Sequence, residues 1–537
     1  MTVSKCALVV AVSLSLAAGP LPLASPRQAA VLTDEASMPP MSLSLADAVK
    51  MSLENNLDMK VARYTPQIRE QDAFFQEAAF DPNLGFSALY RDFSFPTQNV
   101  FDVSVDPNAP GTAVEVLGID GTFNEYSAGF RDPLRWGASY TADLIVQVST
   151  SDSANQIFPT TYRSALEFAY NQSFLRNFGR DANETQIVIA QTNHEIGRSQ
   201  FRDQVYLALQ QTEDAYWELV FARQDLQIKQ ESLRLAEELL KLNRIKVQVG
   251  TLPPIEITTA EAEVANREQA VIVGENAIRD AEDVLRRTLN MPREDQAWQR
   301  PITPTDEPSF VERTIDLQKE FDVAAANRPD LEQARLNLKN ADTRLAFDHN
   351  QLRWDLLGRA TYSLEGLAGD IPPPGMVLGT TVPTQNQNAF DAMEFIQDFE
   401  FPTWSIGAFL SIPVGNNAAQ AIYAGSRLAK EQSQLSYDNA RLNAAVEVRT
   451  FARAITTNKK RIEAAEKNIE LQRKKVEAEQ KKFENGMSTS FQVLEFQEDL
   501  TTALGTKYRA LADYRKSLTA LERAKGTLDD YLNVAIQ

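Results

Sequence analysis

Residues 185–249 read TQIVIAQTNHEIGRSQFRDQVYLALQQTEDAYWELVFARQDLQIKQESLRLAEELLKLNRIKVQV, with no proline and one glycine, Gly197. As a single helix this stretch is roughly 98 Å long at 1.5 Å per residue, whereas an ordinary globular helix has about three turns. Val205, Leu209, Thr212, Tyr216, Leu219 and Leu226 follow steps of four and three, and Ala208, Ala215, Ala222 and Ala236 recur beside them at multiples of seven. A sustained seven-residue pattern imposes left-handed supercoiling. The second stripe, of alanines, predicts a second close neighbour. A ring of helices supplies neighbours on two sides; a plain two-stranded coiled coil supplies only one.

The helix ends at Val249-Gly250-Thr251-Leu252-Pro253-Pro254, and a returning helix over about 255–289 stops at Asn290-Met291-Pro292. The plan recurs. A second long helix over about 418–484 meets Asn485-Gly486-Met487-Ser488, and residues about 491–532 return. With an offset of 272, Asn55, Asp58, Arg63, Ala88 and Tyr90 fall on Asn327, Asp330, Arg335, Ala360 and Tyr362; with an offset of 236, Gly250 falls on Gly486. The chain therefore reads as an internal duplication, with extra sequence between about 97 and 160 in the first copy. The first repeat, 31–290, holds a helix, strands over about 83–175 and a hairpin over about 185–290. The second, 291–537, holds a linker, a helix over about 317–352, strands over about 356–414 and a hairpin over about 418–532. By length, 317–352 would extend the first returning helix and 46–78 the last, giving four equal helical tracks.

Between the helices lie segments of strand period. Trp404, Ile406, Ala408, Leu410 and Ile412 alternate with Thr403, Ser405, Gly407, Phe409 and Ser411. The sets Ala360, Tyr362, Leu364; Leu166, Phe168, Tyr170; and Leu84, Phe86, Ala88, Tyr90 alternate in the same way. Such alternation marks a transmembrane barrel strand, or a soluble sandwich with the same faces. A bilayer-spanning sheet must be closed, and four strands per chain cannot close, since known barrels have at least about eight. An oligomer is then required. Tyr126, Ala128, Phe130 and Tyr140, Ala142, Leu144, Val146, Val148 form a further pair, as wall strands or as a hairpin outside the wall. The segment 366–402, with Pro372-Pro373-Pro374, reads as a long external loop.

Composition removes several function classes. The 537 residues carry a formal net charge of -19, which disfavours a phosphate backbone as partner. Cys6 is the single cysteine, and His194 and His349 are the two histidines. No disulfide within the chain and no Cys/His zinc cluster can form, and no cofactor or metal is expected. There is no phosphate loop and no convergent acid, base and nucleophile set, so an enzyme is not expected. Lys5, the apolar run 7–18 and the small residues and prolines up to Ala30 follow the plan of a signal peptide over 1–30. Beyond residue 30 no apolar run of about 18 residues occurs. Lys459, Lys460, Arg461, Arg473, Lys474, Lys475, Lys481 and Lys482 are interleaved with Glu463, Glu466, Glu470, Glu477 and Glu479. That spacing suits salt pairs along helix faces, not nucleic acid.

The order of parts resembles the TolC-like outer-membrane efflux family, the outer membrane factors, over essentially all of the chain after residue 30. Phe401-Pro402-Thr403-Trp404-Ser405-Ile406-Gly407 leading to Ser411-Ile412-Pro413 carries the local likeness, with the two glycine turns. The resemblance implies a mixed α+β fold: an outer-membrane β-barrel continuous with a long periplasmic α-helical barrel of coiled-coil hairpins. It implies a homotrimer with twelve strands and twelve helices in the outer membrane of a Gram-negative bacterium, in contact with outer-membrane lipid. The trimer would extend into the periplasm toward a periplasmic adaptor and an inner-membrane pump. Gly250, Thr251, Leu252, Gly486 and Met487 fall at the tips that meet the adaptor. Gln492 and Glu495 fall where the family places two acidic gate residues, one here an amide. Glu256 falls on an acidic tether position, and Ser488 and Phe483 replace its basic and tyrosine partners. The implied function is passive conduction from adaptor and pump to the exterior, in drug efflux or type I secretion. The other reading is an exported coiled-coil structural or adhesive protein.

Overall fold

The computed structural model describes residues 39–96, 103–104, 115–116, 118–153, 158–292, 296–371, 376–377, 380–381, 384 and 386–534. The expected signal peptide and Pro372-Pro373-Pro374 lie outside them.

The chain opens with a short strand, β1 (Met41–Leu43), and three successive helices, α1 (Leu45–Asn55), α2 (Leu57–Ala62) and α3 (Tyr64–Glu77). Strand β2 (Asn83–Pro96) follows, then the small pair β3 (Val103–Ser104) and β4 (Glu115–Val116). Three long strands come next, β5 (Gly118–Leu134), β6 (Ala138–Ser151) and β7 (Thr160–Ser173). One turn of helix, α4 (Arg180–Asn183), leads into the 64-residue α5 (Thr185–Gln248) and its return α6 (Ile255–Leu289). The second copy runs β8 (Ile302–Pro304), α7 (Leu317–Asn327), α8 (Pro329–Asn350) and β9 (Asp355–Asp370). It continues through β10 (Met376–Val377), β11 (Thr380–Thr381), α9 (Ala389–Gln397) and β12 (Pro402–Ser411). It closes with the 68-residue α10 (Asn417–Glu484), α11 (Ser490–Lys525) and α12 (Leu528–Leu532).

The duplication is structural. α1 and α7 have equal length, and both their ends and the starts of β2 and β9 differ by 272 residues. Each has a side-chain N-cap, Ser44 accepting from the Asp47 amide and Asp316 from the Gln318 amide. All four long helices end alike. Gly250, Asn290, Gly486 and Gly526 take φ of 77°, 46°, 73° and 73°, pairing at an offset of 236. The next amide reaches back five residues each time: Thr251 to the Lys246 carbonyl at 2.9 Å, Met487 to Lys482 at 2.9 Å, Met291 to Arg286 at 3.2 Å and Thr527 to Glu522 at 3.0 Å. This cap uses otherwise orphaned carbonyls and favours a residue that tolerates positive φ.

Four helical tracks lie side by side in the order α10, then α11 with α8, then α5, then α6 with α2–α3. The junctions correct the expected stacking. The Asn56 side chain donates to the Thr288 carbonyl at 2.9 Å and Asn290 to the Asn55 carbonyl at 3.0 Å, so α2–α3 continues α6. Arg328 donates to the Ala524 carbonyl at 2.8 Å, so α8 continues α11. Length matching could not separate the two arrangements; these terminal hydrogen bonds do. Nor is 46–78 one helix, because Asn56 caps α2 by accepting from the Met59 amide and Arg63 separates α2 from α3.

Both stripes of α5 are buried, Val205, Leu209, Thr212, Tyr216 and Leu219 with Ala208, Ala215, Ala222 and Ala236. On α10 a strict seven-residue stripe is also buried: Val448, Ile455, Ile462, Ile469, Val476 and Phe483.

The six long strands form one antiparallel sheet in the order β12-β9-β7-β6-β5-β2. The extra pair β5–β6 lies inside it, so the sheet has six strands rather than four. Register aligns Phe86, Ala128, Leu144, Leu166, Leu364 and Pro402 across it, and Ala88, Tyr126 and Val146 in the neighbouring row. The opposite face carries polar cross-strand pairs: Ser87 with Ser127 at 2.8 Å, Gln147 to Glu125 at 2.8 Å, Arg163 to Glu365 at 2.9 Å and Thr361 with Ser405 at 2.6 Å. The expected external loop is partly ordered structure. β9 runs through Gly366 to Asp370, and α9 folds back on the apolar face, where the Ser164 hydroxyl donates to the Ala392 carbonyl at 2.6 Å. A capping box of Asn388 and Asp391 starts α9.

Midway along the tracks β1 and β8 pair in parallel, and the buried Tyr216 hydroxyl donates to Asp306 at 2.6 Å. Nearby Glu213 is 1% exposed and accepts from the Trp217 indole at 3.3 Å. Burial pushes its carboxyl up to about 7, and that of Asp214 up to about 6. A carboxyl raised in the folded state holds its proton there and releases it on unfolding. Stability from Glu213 is therefore complete below its ordinary value of 4.5 and is lost as pH rises through about 7. We predict that Tm falls between pH 5 and pH 8. Glu213→Gln should flatten that slope and stabilise the protein at pH 8 by on the order of 3 kcal/mol; an unchanged slope would place the titration elsewhere.

Candidate gate and docking surface at the hairpin tips

At the far end from the sheet the two hairpins present matching turns. A Cβ added at Gly250 or Gly486 would meet nothing within 4 Å, so backbone conformation, not space, selects glycine there. Thr251 and Met487 are exposed, while Leu252 packs against a small buried cluster. That cluster holds Ala236, Leu239, Leu240, Ala260, Phe483, Val493 and Leu494 and draws on both hairpins.

Polar links join the hairpins around it. Lys246 on α5 lies 4.0 Å from the Phe483 ring centre and donates to the Phe483 carbonyl on α10 at 3.2 Å. Ser490 on α11 donates to the Glu256 carboxylate on α6. Arg267 on α6 is 4% exposed. It donates to the Ser232 carbonyl at 2.8 Å, the Leu494 carbonyl at 3.0 Å and the Gln497 side chain at 3.4 Å, and pairs with Glu263 at 2.9 Å. One guanidinium thus ties α5, α6 and α11 together.

The structure brings some candidate residues together and separates others. Glu256 is engaged by Ser490, whereas Ser488 turns to Glu479 at 2.6 Å and Gln492 at 3.0 Å. The Ser488 hydroxyl, and then Lys482, hold the Glu479 carboxyl below its ordinary range. Gln492 and Glu495 are exposed on α11, opposite the buried Val493, Leu494 and Gln497. Arg267 and Lys246 were not among the sequence candidates, yet Arg267 carries a legible signal. Ala260, Arg267, Gly274, Ala281 and Thr288 are the buried residues of α6 at steps of seven, and a lone arginine among small residues demands partners. Among the described residues, no helix is long and apolar enough to cross a membrane.

The sequence pattern of the family described as "Outer membrane efflux protein" matches residues 141–291 and 321–527. The chain belongs to that family. Its fold is that of solved outer-membrane channels. It is similar to OprN, with a TM-score of 0.62 and 14% identity over 90% of each chain. It is similar to the CmeC outer membrane channel of Campylobacter jejuni, with a TM-score of 0.57 and 15% identity over 90% of this chain and 86% of that one. VceC of Vibrio cholerae gives 0.60 and 12% identity, over 90% and 96%. No curated protein matches the chain by sequence.

Removing Arg267 strands two buried carbonyls and a carboxylate, and hydrogen bonds to a charged group contribute about 1.5–3 kcal/mol each. Arg267→Met is expected to speed amide hydrogen exchange at least about tenfold over residues 255–270 and 488–500, with residues 205–220 unchanged. Equal exchange in both forms would show that the cluster alone holds the tips.

Proposed function

We propose that this chain is the exit duct of a tripartite export system, three copies forming one passive channel from the periplasm to the exterior. The observation that carries this reading is that one chain is an open segment of wall with complementary edges. β12 and β2 are sheet edges among the described residues. The same two flanks carry exposed seams at steps of four and three. On α2–α3 these are Leu57, Val61, Tyr64, Ile68 and Phe75; on α10 they are Leu428, Leu435, Leu442 and Val446, with Ala421, Gly425, Gln432 and Asn439 in the same row. Val61, Ile68 and Phe75 are 70%, 60% and 75% exposed in the single chain. Knobs of that period need holes on another helix. A copy of the α10 seam, one flank over, supplies them, and repetition of this heterologous contact closes a ring.

In this reading the apolar sheet face meets outer-membrane lipid and the polar face lines the lumen. The helices extend into the periplasm, and Gly250, Thr251, Leu252, Gly486 and Met487 touch a periplasmic adaptor backed by an inner-membrane pump. Extraction should require detergent, and the extracted particle should have the mass of three chains. A cysteine at Ile68 should crosslink to one scanned through residues 428–446 of a neighbouring copy. A water-soluble monomer would end the channel reading.

Glu495 is proposed to line the narrow end. Three carboxylates gathered there attract cations, multivalent ones most strongly. Single-channel recording across a salt gradient should show Glu495→Gln losing cation preference and block by a trivalent cation. Unaltered selectivity would put Glu495 on the outer surface.

A further inference from the structure

We infer that β5 and β6 are lipid-facing wall strands, so that the closed barrel has eighteen strands, six from each of three chains. The count of three rests on the proposed ring; the wall position of β5–β6 does not. Both strands pair along their whole length, β5 with β2 and β6, and β6 with β7. An appended hairpin would leave β2 beside β7, and here two strands separate them.

The faces agree. Tyr126, Ala128 and Phe130 of β5 and Ala142, Leu144 and Val146 of β6 continue the apolar belt between Phe86 on one side and Leu166 on the other. On the reverse face Ser127 and Glu125 meet Ser87 and Gln147. The turn between the strands is seated too. Gly137, at φ 86°, approaches the Asn177 carbonyl so closely that a Cβ would lie 2.1 Å from it. The Gly179 amide donates to the Trp136 carbonyl at 3.1 Å. Trp136 is exposed at the same end of the sheet as Phe174, Phe178 and Trp354, which is the composition of an aromatic girdle at a membrane interface.

Width accords with six strands per chain. Strands about 4.8 Å apart and tilted by about 40° occupy about 6.3 Å of perimeter each. Six then span about 38 Å, and four only about 25 Å. Four helical tracks at 8–10 Å span roughly 32–40 Å. A six-stranded sheet at this tilt matches the width of the helical layer. Its even number also lets β12 meet the next copy's β2 antiparallel, like every other pair. Eighteen strands fall in the class that leaves an aqueous channel, so the mouth would pass any hydrated solute that the helical tunnel admits.

The test uses the full chain in lipid vesicles, in a Cys6→Ser background. Nitroxide labels are placed singly at Tyr126, Ser127, Val146 and Gln147. Labels at Tyr126 and Val146 should collide with oxygen dissolved in lipid, and those at Ser127 and Gln147 with a water-soluble nickel complex. Water access at all four positions would overturn the wall assignment. Native mass measurement of the same particle should give three chains; another number would overturn the count of eighteen and leave the wall position standing. Excision of residues 97–157 joins Pro96 to Phe158 at the same sheet end. In planar bilayers this variant should lower the radius of the largest neutral polymer entering the outer mouth by about a third. An unchanged cut-off in a folded variant would show that β5–β6 does not set the aperture.

Discussion

Everything else in this chain hangs on α5 having two buried faces. On one side α6 and α3 pack against it, on the other α11 and α8. Large side chains such as Tyr206, Leu209, Tyr216 and Leu219 fill space on this helix, while Ala208, Ala215, Ala222 and Ala236 let backbones approach. A helix with one apolar stripe can complete a pair and stop. A helix with two must sit inside a layer, and a layer of helices has two flanks of its own. The exposed seams on α10 and α2–α3 are that requirement passed outward to the ends of the layer. The same logic holds in the sheet, where an inner strand is satisfied by its neighbours and, among the described residues, β12 and β2 keep unpaired edges.

The duplication supplies this layer economically, and its departures from symmetry show where the copies differ. Helix ends, caps and turns superimpose in sequence at fixed offsets because they obey backbone rules that tolerate little variation. The position of Arg267 in the first copy is occupied in the second by Ala503, which is buried at 3%. One hairpin therefore holds its neighbours by hydrogen bonds to carbonyls, and the other by close packing of small groups. The insertion between β2 and β7 is the other departure. It widens the sheet without adding a helix, which a strand spacing half that of helices allows.

Much of this was legible from residues alone. Heptads over 205–236, glycine at both hairpin turns and alternation at 403–412 each reflect a local rule, and a local rule leaves a periodic trace. The family resemblance carried the order of parts, though not the strand count. What stayed hidden depended on long-range choice. Which short helix continues which long one is decided by Asn56 and Asn290, two polar side chains with no periodic signature. The segment 366–402 read as a loop because its prolines dominate it, and α9, nine residues long, is too short to show a period. Among the gate candidates, spacing put Gln492 and Glu495 on one exposed face. It could not find Ser490 as the partner of Glu256, since that contact joins helices 234 residues apart in sequence.

The distribution of interactions along the tracks bears on where the proposed tube would open. Midway, three tyrosines are essentially fully buried, and each hydroxyl is satisfied. Tyr206 reaches Asp529 at 2.8 Å, Tyr216 reaches Asp306 at 2.6 Å, and Tyr514 reaches the Val311 carbonyl at 2.6 Å. Arg328 adds pairs to Asp330 at 2.8 Å and Glu447 at 2.7 Å across the α7–α8 junction. Breaking that belt would strand several buried polar groups at once, each at a cost of about 1–3 kcal/mol. At the tips the hairpins share one small apolar cluster and a few polar links. The Ser490–Glu256 and Lys246–Phe483 links sit near the turns, where Glu256 and Lys246 are partly open to water while Ser490 and Phe483 are buried. The hairpins can therefore part at their ends while the belt stays intact, hinging above Arg267, the last fully enclosed link before the turns. In the proposed trimer, a rigid middle with separable tips would make the helix ends a valve, with control of opening where the proposed docking partner would touch first.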